Sequence, residues 1–241
     1  MKYLCFVAGD DLPGPEELAV MQREIPGWVE EMDGRGVRLL GRALDIPETG
    51  VTVRVRDGQT LVTDGPFVEA KEFIAGFDIL ECADLDEAIA VAATGPVARF
   101  MTIEIRPFAG QAQIGEKAPA FGRCEDGDAS PYALIMWTGG TQAAPPVNQT
   151  LTREVEAWRQ DLVARGLHIL GGTLEGAGTA TTLRVPDGKT LLGAGPFFKT
   201  GEIIAAIDVV SCAEHQQAVE LAATHPAVRQ YAIEVRPFEN E

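Results

Sequence analysis

The stretch Asp64-Gly65-Pro66-Phe67-Val68-Glu69-Ala70-Lys71-Glu72 sets three carboxylates and one ammonium within nine residues. Two signs of charge packed so closely can grip a polar molecule or pass a proton. The same composition also suits a salt-bridged, solvated loop. Glycine opens backbone conformations closed to other residues and proline fixes the φ that follows, so Gly65 and Pro66 make a tight turn. Phe67 is then the anchor expected to pin that turn to a core. In this reading Asp64 is the catalytic group, and Glu69, Lys71 and Glu72 bind the ligand.

The chain contains its own control, because it repeats. Gly36 to Phe108 aligns without a gap on Gly166 to Phe238, and KYLCFVAG near the start answers PYALIMWTGG from Pro131. A spacing of about 130 residues is too long for a solenoid unit of roughly 20–50 and fits a small domain. In the second copy the motif reads AGPFFKTGE, Ala194 to Glu202. The turn and its phenylalanine persist, whereas Asp64, Glu69 and Lys71 are replaced by Ala194, Lys199 and Gly201. One-sided loss of charge points to one working site, carried by the first copy, or else to drift on a surface loop. Glu72 recurs as Glu202, which favours a structural role for that position.

The elements that must hold this motif follow from periodicity. Tyr3 to Ala8 reads as a strand, and Leu18, Met21, Ile25, Val29 and Met32 mark a helix that Pro26 is expected to kink or split. Strands follow over Val37 to Leu44 and Val51 to Val55, with a hairpin at Asp57-Gly58 and a short strand after it. A strand over Phe73 to Leu80, a helix capped by Asp84 with Glu87, and a last strand over Met101 to Arg106 complete the repeat. The order β-α-β, hairpin, β-α-β predicts an α+β fold of two tandem ferredoxin-like domains. The boundaries read as residues 1–108, a linker at 109–130 rich in Ala and Gly, and residues 131–241. Each sheet's second face needs a cover, and the other half is the natural one, giving an intramolecular pseudo-dimer with further homodimerisation open.

Arg99/Arg229 with Glu104/Glu234, and Arg54/Arg184 with Asp78/Asp208, recur in both copies and read as structural ion pairs. Trp28 and Trp158 read as core anchors, and His168 and His215 as ordinary single histidines. Cys5, Cys82 and Cys212 sit in apolar runs and Cys124 in the linker, with no spacing suited to zinc, so no metal is expected. No P-loop, dinucleotide fingerprint, GxSxG or HExxH occurs. A formal charge of −16 argues against nucleic acid and anionic membranes. No stretch has the roughly 20 apolar residues of a span, so the expected location is cytoplasmic.

DGPFVEAKE, followed by the strand IAGFDIL and closing on IEIRPF, resembles the YCII-related (DGPF) domain family, in two copies covering nearly the whole chain. The resemblance implies the dimeric α/β-barrel superfamily and bacterial cytosolic proteins that pair as dimers. The family's biochemical role is largely undefined, while the wider superfamily holds isomerases, dehydrochlorinases and small monooxygenases. It also implies a candidate acid/base group at His225, which could equally cap a helix end. Haem is not expected, since no histidine recurs in both halves. The expectation is a protein that binds a small polar molecule and carries out cofactor-independent, isomerase- or lyase-like proton transfer with Asp64, Lys71, Glu72 and His225. The alternatives are a non-catalytic ligand-sensing or protein-interaction module tied to sigma-factor-dependent regulation, and a fused homodimer without activity.

Overall fold

Apolar alternation and glycine-marked turns convert into strands and helices in the expected order. The computed structural model describes residues 1–67, 72–115, 129–138, 149–199 and 201–239. The first repeat runs β1 (Lys2–Gly9), α1 (Pro15–Gly34), β2 (Arg38–Ala43), β3 (Val51–Arg56), β4 (Gln59–Asp64), β5 (Phe73–Glu81), α2 (Leu85–Thr94) and β6 (Thr102–Pro107). A short β7 (Gln113–Ile114) follows, inside the stretch read as linker. The second repeat runs β8 (Ser130–Thr138), α3 (Gln149–Ala164), β9 (His168–Thr173), β10 (Thr181–Arg184), β11 (Leu191–Ala194), β12 (Ile203–Cys212), α4 (His215–Thr224) and β13 (Ala232–Pro237).

Local chemistry accounts for most of these boundaries. The β3–β4 turn places Asp57 at φ 51° and Gly58 at φ 76°, the two left-handed residues of a type I′ hairpin. Asp84 caps α2 by accepting the Glu87 amide at 2.9 Å, and Glu87 accepts the Ala83 amide at 2.6 Å. Helix α1 departs from expectation, because it runs unbroken through Pro26. Pro26 lies on the exposed face, where water can satisfy the carbonyl it leaves free, and Met32 with Trp28 ties the other face to the core.

The chain divides into two compact units that do not coincide with the two repeats. Unit 1 comprises Met1–Ala43, Ala70–Ala109 and Glu175–Lys199; unit 2 comprises Leu44–Glu69, Gly110–Leu174 and Thr200–Glu241. Unit 1 holds a sheet ordered β11-β10-β6-β1-β5-β2, and unit 2 a sheet ordered β4-β3-β13-β8-β12-β9-β7. Each sheet is antiparallel and carries two helices, so the α+β, ferredoxin-like reading holds. The hairpins, however, are exchanged. Strand β3 of the first repeat pairs with β13 through Ile233 opposite Val53, and β10 of the second pairs with β6 through Ile103 opposite Leu183. The exchange has an apolar reason: Val53 is fully buried in the core of unit 2, and Leu183 in that of unit 1. No described helix is long and apolar enough to cross a membrane.

An isolated first repeat, residues 1–109, would leave the β6 edge unpaired and its own β3–β4 hairpin without a sheet. It is expected to purify as a homodimer in which each copy lends its hairpin to the other's β6. Light scattering coupled to gel filtration checks this, and a folded monomer would count against the exchange.

Candidate functional site

On β13, Ile233 and Val235 face the apolar core of unit 2, so the alternation sends Glu234 and Arg236 to the opposite face. Glu234 is buried there and does three things at once. Its Oε2 accepts the Phe67 amide at 3.2 Å and the Trp137 indole N–H at 3.0 Å, and its Oε1 accepts from Arg236 at 3.0 Å. Arg236 also donates to the Asp45 carbonyl. The Gly-Pro-Phe turn is thereby fixed from below. From above, Gly65 at φ 93° donates to the Gly50 carbonyl at 2.8 Å, and its own carbonyl accepts from the Thr52 hydroxyl at 3.2 Å. Phe67 packs its ring 5.8 Å from that of Trp137, with the Arg54 guanidinium 4.8 Å over its face.

Unit 1 repeats the device with the other copy's turn. Glu104 accepts the Phe197 amide at 2.8 Å and pairs with buried Arg106, while Gly195, also at φ 93°, donates to the Ala180 carbonyl. Glu72 accepts the Lys199 amide at 3.3 Å, a structural contact for that position. The recurring Arg and Glu are therefore paired differently from the sequence reading. Glu104 and Glu234 go to Arg106 and Arg236, two residues on, and Arg99 goes to Glu24.

The helix-covered side of unit 2 holds a second buried polar cluster. Asp208 on β12 receives a two-pronged contact from Arg159 of α3, at 2.6 and 3.1 Å. His168 Nε2 lies 3.7 Å from Asp208 Oδ1, and His225 Nε2 lies 3.5 Å from Oδ2. Asp208, His168 and His225 are all at most 4 % exposed. Burial pushes the Asp208 carboxyl up, but the Arg159 charge and the two imidazoles more than offset this and hold it well below the usual carboxylate range. Gly171 makes room, since a Cβ there would stand 1.9 Å from Asp208 Oδ1. His225 Nδ1 accepts the Ala227 amide at 3.1 Å and its ring meets Trp158 edge-on at 4.5 Å. That is the helix-end cap the sequence allowed. Unit 1 has Gly41, Asp78 and Arg38 in the corresponding places, with Arg38 bonded to Asp78 at 2.7 Å, but Gly95 where His225 stands.

The residues singled out from sequence are dispersed. Asp64 is exposed at the end of β4 in unit 2, and Glu72 belongs to unit 1. Glu69 and Lys71 lie outside the described residues. Asp64 and His225 share unit 2 but not a site. Three strands separate β4 from β12, roughly 19 Å at about 4.8 Å per step, and His225 sits against β12. Sequence reasoning passed over Arg159 and read His168 as an ordinary single histidine. The available signal was Arg159 standing where the first copy has Val29, on the same helical face as the core.

Comparison with known proteins adds the following. The YCII-related domain matches the chain over residues 1–109 and 132–240. An uncharacterized protein of Rhizobium meliloti (strain 1021) is 43% identical over 67 residues, which is 27% of this chain and 54% of that protein. The chain thus spans about half the length of the curated relative it matches. Two solved structures are similar in outline. A chlorite dismutase-like protein has a TM-score of 0.41 and 8% identity, over 99% of this chain and 94% of that one. An anthrone oxidase-like protein has a TM-score of 0.34 and 9% identity, over 99% and 92%. Neither likeness bears on what this chain does.

Two outcomes are expected from these contacts. Glu234→Ala strips the Phe67 amide, the Trp137 indole and the Arg236 guanidinium of one shared acceptor, and should cost about 3–5 kcal/mol, whereas exposed Asp64→Ala should stay within about 0.5 kcal/mol. Calorimetric melting of the two variants checks the contrast. Asp208, with its folded pKa below the unfolded one, adds stability above about pH 4 that is lost as pH falls further. The stability gap between wild type and Asp208→Asn should therefore narrow from pH 4 downward in urea melts, and a constant gap would mean that Asp208 is not charged.

Proposed function

The chain belongs to the YCII-related domain family, and from that membership and the geometry of unit 2 we propose that it binds a small polar molecule and moves a proton on it without a cofactor, as an isomerase or lyase does. The observation that carries this reading is the pair of buried imidazoles beside Asp208. Folding does not call for them, because unit 1 reaches the same architecture with Arg38 and Gly95 at those positions. His168 Nδ1 is buried without a partner among the described residues, while the Nε2 atoms of both rings face only the Asp208 carboxylate, at 3.7 and 3.5 Å. An unsatisfied buried polar group costs roughly 1–3 kcal/mol, a cost that recurs where a fold gives up stability for chemistry.

The roles follow from the contacts. Arg159 balances the Asp208 charge, and Asp208 orients the two rings. His225 has its Nδ1 committed to the Ala227 amide, which makes it a positioning residue. His168 has its Nε2 facing Asp208 at 3.7 Å and its Nδ1 without a partner among the described residues, and it is the proton acceptor and donor in this reading. Imidazole is the side chain suited to that task near neutral pH.

One observation favours a second reading, in which the protein binds a ligand elsewhere on its surface without turnover: Asp208 is fully buried and His168 is only 4 % exposed, which keeps the cluster away from a ligand in this conformation. Deuterium uptake distinguishes the two. The purified chain is incubated in D2O with a panel of small keto acids and lactones, and exchange at carbon is followed by NMR. Exchange that falls at least about 100-fold in His168→Gln, with an unchanged or higher melting temperature, is the expected result. Exchange surviving in that variant would remove the assignment, and saturable binding without exchange would favour the second reading.

A further inference from the structure

A cleft of about 110 Å³ opens on unit 2 between the β3 end and the segment that leads into β13. Arg54, Arg56 and Arg229 line it, with Phe67, Val55 and Tyr231 as its apolar walls, and among the described residues no aspartate or glutamate lines it. That is unexpected in a chain with 36 acidic and 20 basic side chains, where a carboxylate is the commoner neighbour. Among the described residues, none of the three arginines makes an ion pair. Glu154, which stands where the first copy has Glu24, is exposed and is not a partner of Arg229 within 4.0 Å.

The corresponding residues of unit 1 are partnered or uncharged. Arg184, in the place of Arg54, donates to the Phe100 carbonyl at 3.2 Å. Arg99, in the place of Arg229, pairs with Glu24. Pro186 stands in the place of Arg56 and carries no charge. In unit 2 the same positions hold two arginines and a third, Arg56, none of them in an ion pair among the described residues, and burial together with the Arg56 charge pushes the Arg54 guanidinium down from its ordinary value. The Arg54 head is nevertheless held in place, stacked on Phe67, whose amide is fixed by Glu234. A guanidinium held in this way is suited to the two oxygens of a carboxylate or phosphate.

We propose that this cleft is an anion site, taking a small molecule by a carboxylate or phosphate head group. The volume, about 110 Å³, is of the order of cavities that take one small molecule and suits one oxyanion with its first carbons. The site is independent of the proton-transfer reading, since none of its lining residues belongs to the Asp208 cluster. It is also independent of Asp64, which does not line it.

Titration calorimetry of the full chain at low ionic strength, with inorganic phosphate in one arm and butyrate in the other, tests it. Saturable binding in either arm is expected, weakened roughly 10–100-fold in Arg54→Ala and in Arg56→Ala, with the melting temperature of each variant as the control for folding. Binding of phosphate alone would assign a phosphorylated ligand, and binding of butyrate alone a carboxylic acid. No saturation with either at millimolar concentration, or binding unchanged in both variants, would overturn the proposal.

Discussion

A carboxylate in the last strand of each repeat holds the Gly-Pro-Phe turn of the other repeat's hairpin, and much of the molecule is arranged around that contact. The turn brings a backbone N–H to a place where water does not reach it freely, and a buried donor must be met. Glu234 meets it while also serving Trp137 and Arg236, and Glu104 does the same beside Arg106. A buried ion pair is weak evidence of net stability in itself. Its effect here is to fix register: it ties one hairpin to one strand edge at one position, and so decides where Phe67, and with it Arg54, must stand.

Against this shared frame, the two units have diverged in their polar interiors. In unit 1 the recurring aspartate is met by one arginine from β2, with Asp33 nearby. In unit 2 the arginine has moved to α3, and two imidazoles fill the space around the carboxylate. Both arrangements depend on a glycine on the neighbouring strand, Gly41 or Gly171, because a Cβ at either would stand 1.9 Å from the aspartate. The frame tolerates either solution. Unit 2 holds the one with two buried imidazoles, and it also holds the cleft lined by Arg54, Arg56 and Arg229.

Much of this was legible in the sequence where the physics is local. The order of elements, the hairpin at Asp57-Gly58 and the Asp84 cap are set by residues close together in the chain, and the repeat by direct comparison of the two copies. Pairing across the chain was not legible. Val51, Val53 and Val55 alternate as well as Thr181 and Leu183 do, and either hairpin would bury the same kind of face against either edge strand, so nothing in the spacing says which sheet it joins. The same blindness hid the partners of Glu234 and Asp208, which come from 167 residues away in one case and 49 in the other. Asp64 stood out because charge near a turn is conspicuous in sequence, whereas its exposure at the end of an edge strand is a property of the sheet.

The exchange of hairpins also sets an order of assembly during synthesis. Unit 1 has most of its strands once residue 109 has been made, yet its sheet is complete only after β10 and β11 emerge, up to Lys199. At about 5–20 residues per second the ribosome takes on the order of 5–20 s to cover that interval. Throughout it, β6 presents an open edge of the kind that invites pairing with another chain, and on a polysome the nearest such chain is another nascent copy carrying the β3–β4 hairpin.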